Sequence, residues 1–144
     1  MRGSMMDTRH FIIPGEPQGK GRPRSTHLGR VYTPGRTRAY EKMVQYYYNA
    51  CCHYEPFGRD VPLVITIKAT FAPPKRTPKK RLRDMLLNLI FQTKKPDWDN
   101  IGKIICDSCN GIAWHDDSQI TTAHVYKRYG TESLVEVWIS KEDV

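Results

Sequence analysis

Val61-Pro62-Leu63-Val64-Ile65-Thr66-Ile67-Lys68-Ala69-Thr70-Phe71-Ala72 alternates cleanly, with Val61, Leu63, Ile65, Ile67, Ala69 and Phe71 on one face. A period of two sustained over this length marks a strand with one buried face. Pro62 stands at its start, where a missing N–H costs least, and Pro73-Pro74 ends it. Such a strand needs neighbours and a covering layer. Upstream, His10 to Pro14 reads as a short first strand. Behind Thr37, an expected N-cap, Tyr40, Met43, Val44, Tyr47, Ala50 and Cys51 recur at helical spacing, so an amphipathic helix should run to about Cys52. Downstream, Thr77-Pro78 opens a second helix with an apolar stripe of Leu82, Met85, Leu86, Leu89 and Ile90. A third helix after Pro96 packs through Ile101, Ile104, Ile105 and Ile112, and Gln119–Lys127 with Ser133–Ser140 are expected to form a terminal hairpin about Tyr129-Gly130. The fold class is therefore α+β: a single small domain, a mixed β-sheet with helices packed over it.

The chain has 144 residues, enough for one domain with a core of its own. Met1-Arg2-Gly3-Ser4 before a second methionine reads as an expression leader, which leaves 5–144 as the domain. No apolar run approaches the ~18 residues of a membrane span and no signal-peptide core follows the N-terminus. A cytoplasmic protein without membrane attachment is expected. Cys51, Cys52, Cys106 and Cys109 suit reduced, mostly buried thiols better than zinc, because adjacent cysteines rarely reach one tetrahedral metal and the second pair falls within a helical pattern.

Charge is unevenly placed on this basic chain, whose formal net charge is +8. Residues 1–42 hold nine Lys or Arg against three acids, and residues 73–96 hold eight against one. Residues 97–117 invert the balance, with five Asp and one Lys. Basic surfaces flanking an acid cluster suit an enzyme that grips a polyanion and cuts it, since cations neutralise phosphates while carboxylates hold divalent cations. A solvated basic face beside acidic turns is the plainer alternative. In the segment Gly15-Glu16-Pro17-Gln18-Gly19-Lys20-Gly21-Arg22-Pro23-Arg24, glycines permit close backbone approach to phosphate, and Lys20, Arg22 and Arg24 supply charged donors. It is no Walker loop, so no nucleotide cofactor is expected. Lys79, Lys80 and Arg81 crowd the positive end of the second helix, which points to an external anion.

The most informative stretch is Lys95-Pro96-Asp97-Trp98-Asp99-Asn100-Ile101-Gly102-Lys103, followed by Asp107, Asn110-Gly111 and His115-Asp116-Asp117-Ser118-Gln119. Asp99 or Asn100 is a credible N-cap, but capping does not explain two aspartates at the helix start, a lysine one turn in and a further Asp-Asp pair. Asp97, Asp99 and Asp117 offer the oxygen ligands that hard Mg²⁺ or Mn²⁺ require, with Asp116 either a ligand or a supporting group. Lys103 could neutralise developing charge or orient a water. An Asp/Glu-x-Lys of the restriction-enzyme type does not follow Asp97 at a suitable spacing.

As a composite, these motifs resemble the RusA family of Holliday-junction resolvases, whose Lys-Pro-Asp-x-Asp-Asn-x-x-Lys, Asp, Asn-Gly and Asp-Asp-x-Gln are met at Lys95–Lys103, Asp107, Asn110-Gly111 and Asp116–Gln119. The segment Gly15–Arg24 is similar to the family's Gly- and Arg-rich N-terminal stretch. The resemblance implies a homodimer with one Mg²⁺-dependent site per subunit, nicking two opposed strands of a four-way DNA junction. It implies Asp97, Asp99 and Asp117 as metal-binding carboxylates and Lys103 as the essential lysine; Gly102 and Cys109 are less usual occupants. A junction-binding module without catalysis is the alternative from another class.

Overall fold

The computed structural model describes residues 8–21, 24–32, 34–52 and 55–143. The expected leader, and Arg22 among the expected DNA contacts, lie outside them. In chain order the elements are β1 (Arg9–Pro14), β2 (Arg24–Ser25), β3 (Val31–Tyr32), α1 (Gly35–Cys51), β4 (Leu63–Phe71), α2 (Lys79–Leu86), α3 (Trp98–Cys109), a 3₁₀ turn (Asp117–Gln119), β5 (Ile120–Tyr129) and β6 (Leu134–Lys141).

The strand that decides the fold is central. The four-stranded sheet runs β1-β6-β4-β5, with β4 antiparallel to β6 and parallel to β5. A parallel neighbour requires a long crossover, and residues 72–119 supply it, carrying α2 and α3. The expected terminal hairpin is thereby corrected: β5 and β6 follow each other in sequence but do not pair, because β4 lies between them. Within the glycine-rich loop, β2 and β3 form a small antiparallel ribbon of their own.

One face of the sheet is dry. Leu63, Ile65, Ile67, Ala69 and Phe71 of β4 join Phe11 and Ile13 of β1 and Val135, Val137 and Ile139 of β6, all buried. α1 covers this face through Tyr40, Val44 and Tyr48, and α3 through Ile101, Ile104, Ile105 and Cys109, in one continuous core. α1 lies against β1 and α3, and α3 against β5. The stripe of α1 thus runs through Tyr48, with Tyr47 only half-buried and Ala50 and Cys51 exposed. Thr37 is not the cap, because α1 begins at Gly35 after Pro34; the buried Thr37 hydroxyl accepts a hydrogen bond from Gly21 N at 3.1 Å.

α2 is shorter than its apolar pattern suggests. Asn88 adopts φ 62°, a left-handed conformation that asparagine tolerates at a helix end. Leu89 N and Ile90 N fold back onto Asp84 O at 2.8 and 3.2 Å. Of the expected stripe only Met85 is buried in the helix, while Leu86 and Leu89 face solvent. Among the described residues no helix is long and apolar enough to cross a membrane.

Candidate active site

α3 positions most of the candidate residues. The Lys95–Pro96 bond is cis, and Asp97, in an extended conformation, precedes the first helical residue, Trp98. Asp97 occupies the N-cap position, yet its side chain makes no capping hydrogen bond. Its carboxylate instead lies 3.6 Å from Lys95 Nζ. Asp99 is exposed in the first turn, where the helix dipole favours a negative charge. Because Ile101, Ile104, Ile105, Ser108 and Cys109 turn inward, Asp99, Lys103 and Asp107, spaced four apart, share a face beside the core-facing stripe. Lys103 Nζ stands 4.0 Å from Asp107 Oδ2.

The Asp116-Asp117 pair divides its labour. Asp116 caps the 3₁₀ turn, accepting from Ser118 N at 3.0 Å, and these bonds to Ser118 hold its carboxyl below the ordinary range. Gln119 completes the cap by accepting from Asp116 N, and its Nε2 donates to Gly58 O and Val61 O. Asp117 is thereby left to face α3. Buried Trp114 donates its indole N–H to Asp117 Oδ1 at 2.7 Å. Partial burial pushes the Asp117 carboxyl up; the Trp114 bond opposes this, Asp107 and Asp116 add repulsion, and Lys103 offsets part of it. Asp117, Asp107 and Lys103 therefore share one electrostatic neighbourhood.

The glycine-rich loop is clamped onto this helix. Lys20 N donates to Asn100 O at 3.0 Å. A Cβ at Gly19 would fall 2.9 Å from Pro96 Cβ and 3.2 Å from Asn100 Cβ, so only glycine permits the approach. The Lys20 amine, expected to meet phosphate, sits between Glu41 and Asp107.

Of the four expected catalytic residues, the structure brings together Asp117 and Lys103, with Asp107 as a charged neighbour of both. Asp97 lies apart with Lys95 and Lys127; the latter donates to Lys94 O at 2.6 Å and braces the approach to Pro96. Among the described residues no three His, Cys, Asp or Glu side chains stand close enough to hold one metal ion. The donor chemistry suits a hard cation, but the expected convergence of Asp97, Asp99 and Asp117 is absent from the folded chain by itself: Asp97 precedes the helix, Asp99 lies on its first turn, and Asp117 faces Asp107 further along. The cysteines are free thiols, and burial pushes Cys106 up to about 12.

Two clefts share Glu16 and Lys95, just ahead of Asp97 in the chain. One, of about 390 Å³, is lined by Arg76, Arg81, Lys94 and Lys95; the other, of about 360 Å³, by Gln18, Arg36, Lys95 and Asn100. Each is large enough for a small-molecule-sized group, and Lys95 belongs to both. Of the expected contacts on α2, Arg81 lines a cleft, Lys80 pairs with Asp84 at 3.2 Å, and Lys79 is exposed. Arg24 opens β2. Lys127, Arg36, Arg76 and the role of Lys20 have no local signal in the sequence, since each acts through a neighbour distant along the chain; Trp114 stands only three residues before its partner Asp117, but nothing in the sequence says that its indole turns toward that carboxylate. Lys95 stands within the Asp-rich motif, and its place directly before Pro96-Asp97 is the signal for a ligand-facing cation.

Residues 14–140 match the family model described as Endodeoxyribonuclease RusA. The uncharacterized protein YqaN of Bacillus subtilis (strain 168) is 32% identical over 139 residues, covering 93% of this chain and 96% of that protein.

Proposed function

Because the chain belongs to the RusA family of endodeoxyribonucleases, we propose that it is a Mg²⁺-dependent, structure-selective endonuclease that resolves four-way DNA junctions by paired, symmetrical nicks. The observation that carries this reading is the approach of Asp117, on the 3₁₀ turn, to Lys103 of α3, with two clefts near the start of α3 that Arg36, Arg76, Arg81 and Lys95 line together with Glu16, within a chain that matches a nuclease family over most of its length. A four-way junction presents two equivalent strands, and a C₂ homodimer presents two equivalent sites. The reaction's setting is the cytoplasm.

In this reading Arg36, Arg76, Arg81 and Lys95 bind the backbone on either side of Asp97, neutralising phosphates as cations displace counterions. Lys79 and Lys80 extend the basic surface, and Arg24 remains a proposed DNA contact. Trp98, 64% exposed between two aspartates, offers a face on which an unpaired base can stack. Lys103 stabilises charge developing on the phosphate, and Trp114 fixes the direction of the Asp117 carboxylate. Asp97, Asp99 and Asp117 are the residues that would hold Mg²⁺, or Mn²⁺ in its place. The cation would supply Lewis acidity and a more acidic bound water.

The separation of the three carboxylates in the folded chain favours a second reading, a junction-binding module without catalysis. Asp97→Asn and Asp99→Asn separate the two. Under the nuclease reading each abolishes cutting of a labelled junction in Mg²⁺ while binding persists or tightens, because repulsion of phosphate falls. If the wild type leaves the junction intact across salt and pH, and the variants only shift binding slightly, the binding module stands instead.

A further inference from the structure

The glycine-rich loop carries the sequence character of a phosphate contact, yet its Lys20 is committed inward. Lys20 Nζ lies 2.6 Å from Glu41 Oε2 on α1 and 3.0 Å from Asp107 Oδ2 on α3. The lysine side chain is only 18% exposed and Glu41 19%, so these contacts are better shielded from solvent than surface pairs. Burial works to lower the lysine pKa, but hydrogen bonds to the two carboxylates outweigh it and raise it, so the amine stays charged. The backbone is fixed as well, by Lys20 N to Asn100 O and Gly21 N to Thr37 Oγ1.

The recipient of this charge stands beside the proposed site. Asp107 approaches Lys103 and repels the Asp117 carboxylate. Without a partner, Asp107 would draw Lys103 to itself and add a full negative charge where a phosphate must arrive. We infer that Lys20 is a positioning residue: by neutralising Asp107 and tying the loop to α1 and α3, it leaves Lys103 available to substrate and Asp117 in its Trp114-directed orientation. The inference rests on the nuclease reading and adds to it a residue that acts through Asp107, without touching DNA.

The test compares wild type, Lys20→Met, Lys20→Arg and the double variant Lys20→Met/Asp107→Asn. Junction affinity is measured over a salt series without divalent cation, and single-turnover cleavage in Mg²⁺. Lys20→Met is expected to keep the wild-type salt slope and to cut about 10- to 100-fold more slowly, the scale of a small misplacement at a reacting centre. Lys20→Arg should recover most of that rate. The double variant should also recover it, since the charge that Lys20 offsets is gone. A salt slope lower by about one unit in Lys20→Met would make Lys20 a phosphate contact and overturn the inference. So would a double variant as slow as Lys20→Met. Should Lys20→Met fail to fold, Glu41→Gln with and without Asp107→Asn poses the same question. Failure of the nuclease reading looks different: wild type itself does not cut, while the salt slopes still report whether Lys20 touches phosphate.

Discussion

Trp114 and Asp117 are joined by a 2.7 Å hydrogen bond from an indole with no solvent exposure to a carboxylate at the surface of the site. Asp116, adjacent in sequence, is turned away by its cap on Ser118. Neighbouring aspartates thus receive different work from different partners: one closes a turn, the other faces α3. A buried indole is a rigid donor, so the direction of the Asp117 carboxylate is set by the core.

Trp114→Phe removes the donor and keeps an aromatic ring in place. We expect a stability loss of about 1–3 kcal/mol from the missing bond and the smaller ring. Junction cleavage should fall about ten-fold or more with affinity nearly unchanged. Urea denaturation and single-turnover assays check the two halves.

Asp117→Asn yields a pH-dependent result. Burial raises the Asp117 pKa above its ordinary value of 3.8, so ionisation is disfavoured in the folded state. The stabilising effect of protonation is present in full below 3.8 and is lost as pH rises through the higher folded value. The asparagine variant, neutral throughout, should therefore melt above wild type at neutral pH. That advantage should shrink and vanish as pH falls to 3.8. Melting curves across the acid range would show the opposite trend if the carboxylate were held below its ordinary value.

Tyr40 buries its hydroxyl with no hydrogen-bond partner among the described residues, and burial pushes its pKa up. A buried, unsatisfied hydroxyl costs on the order of 1–3 kcal/mol. Tyr40→Phe should therefore be neutral to stabilising by about 1 kcal/mol in urea denaturation; a clear loss would mean that the hydroxyl is satisfied in solution.

Lys95 lines both clefts together with Glu16, and Arg81 lines one of them. Replacing either by Ala should weaken junction binding and reduce the salt slope by about one unit for each phosphate no longer neutralised. Unchanged slopes would assign DNA to another surface.

Much of this architecture is legible in residue patterns because it depends on local periodicity. Alternation through Leu63–Phe71 marks the central strand, and Ile101, Ile104 and Ile105 mark the buried side of α3. Strand pairing is non-local, which is why a β5–β6 hairpin is expected from the sequence where β4 in fact intervenes. The α2 stripe misleads because Asn88 ends the helix before Leu89 and Ile90 can join it. At the candidate site, the Asp-rich motif singles out Lys103 and Asp117 as candidates, but composition does not say which cations are already paired. Lys20 looks free in sequence and is paired across two helices. Asp116 and Asp117 become distinguishable only through their partners, Ser118 and Trp114.

The most direct measurement maps nicks on a four-way junction with each strand labelled in turn, in Mg²⁺ and in chelator, using wild type and Asp99→Asn. Cuts at symmetrical positions in two opposed strands are expected from wild type in Mg²⁺ alone, with Asp99→Asn binding the junction and leaving all four strands whole. An intact junction with wild type, or equal cutting by the variant, would contradict the account.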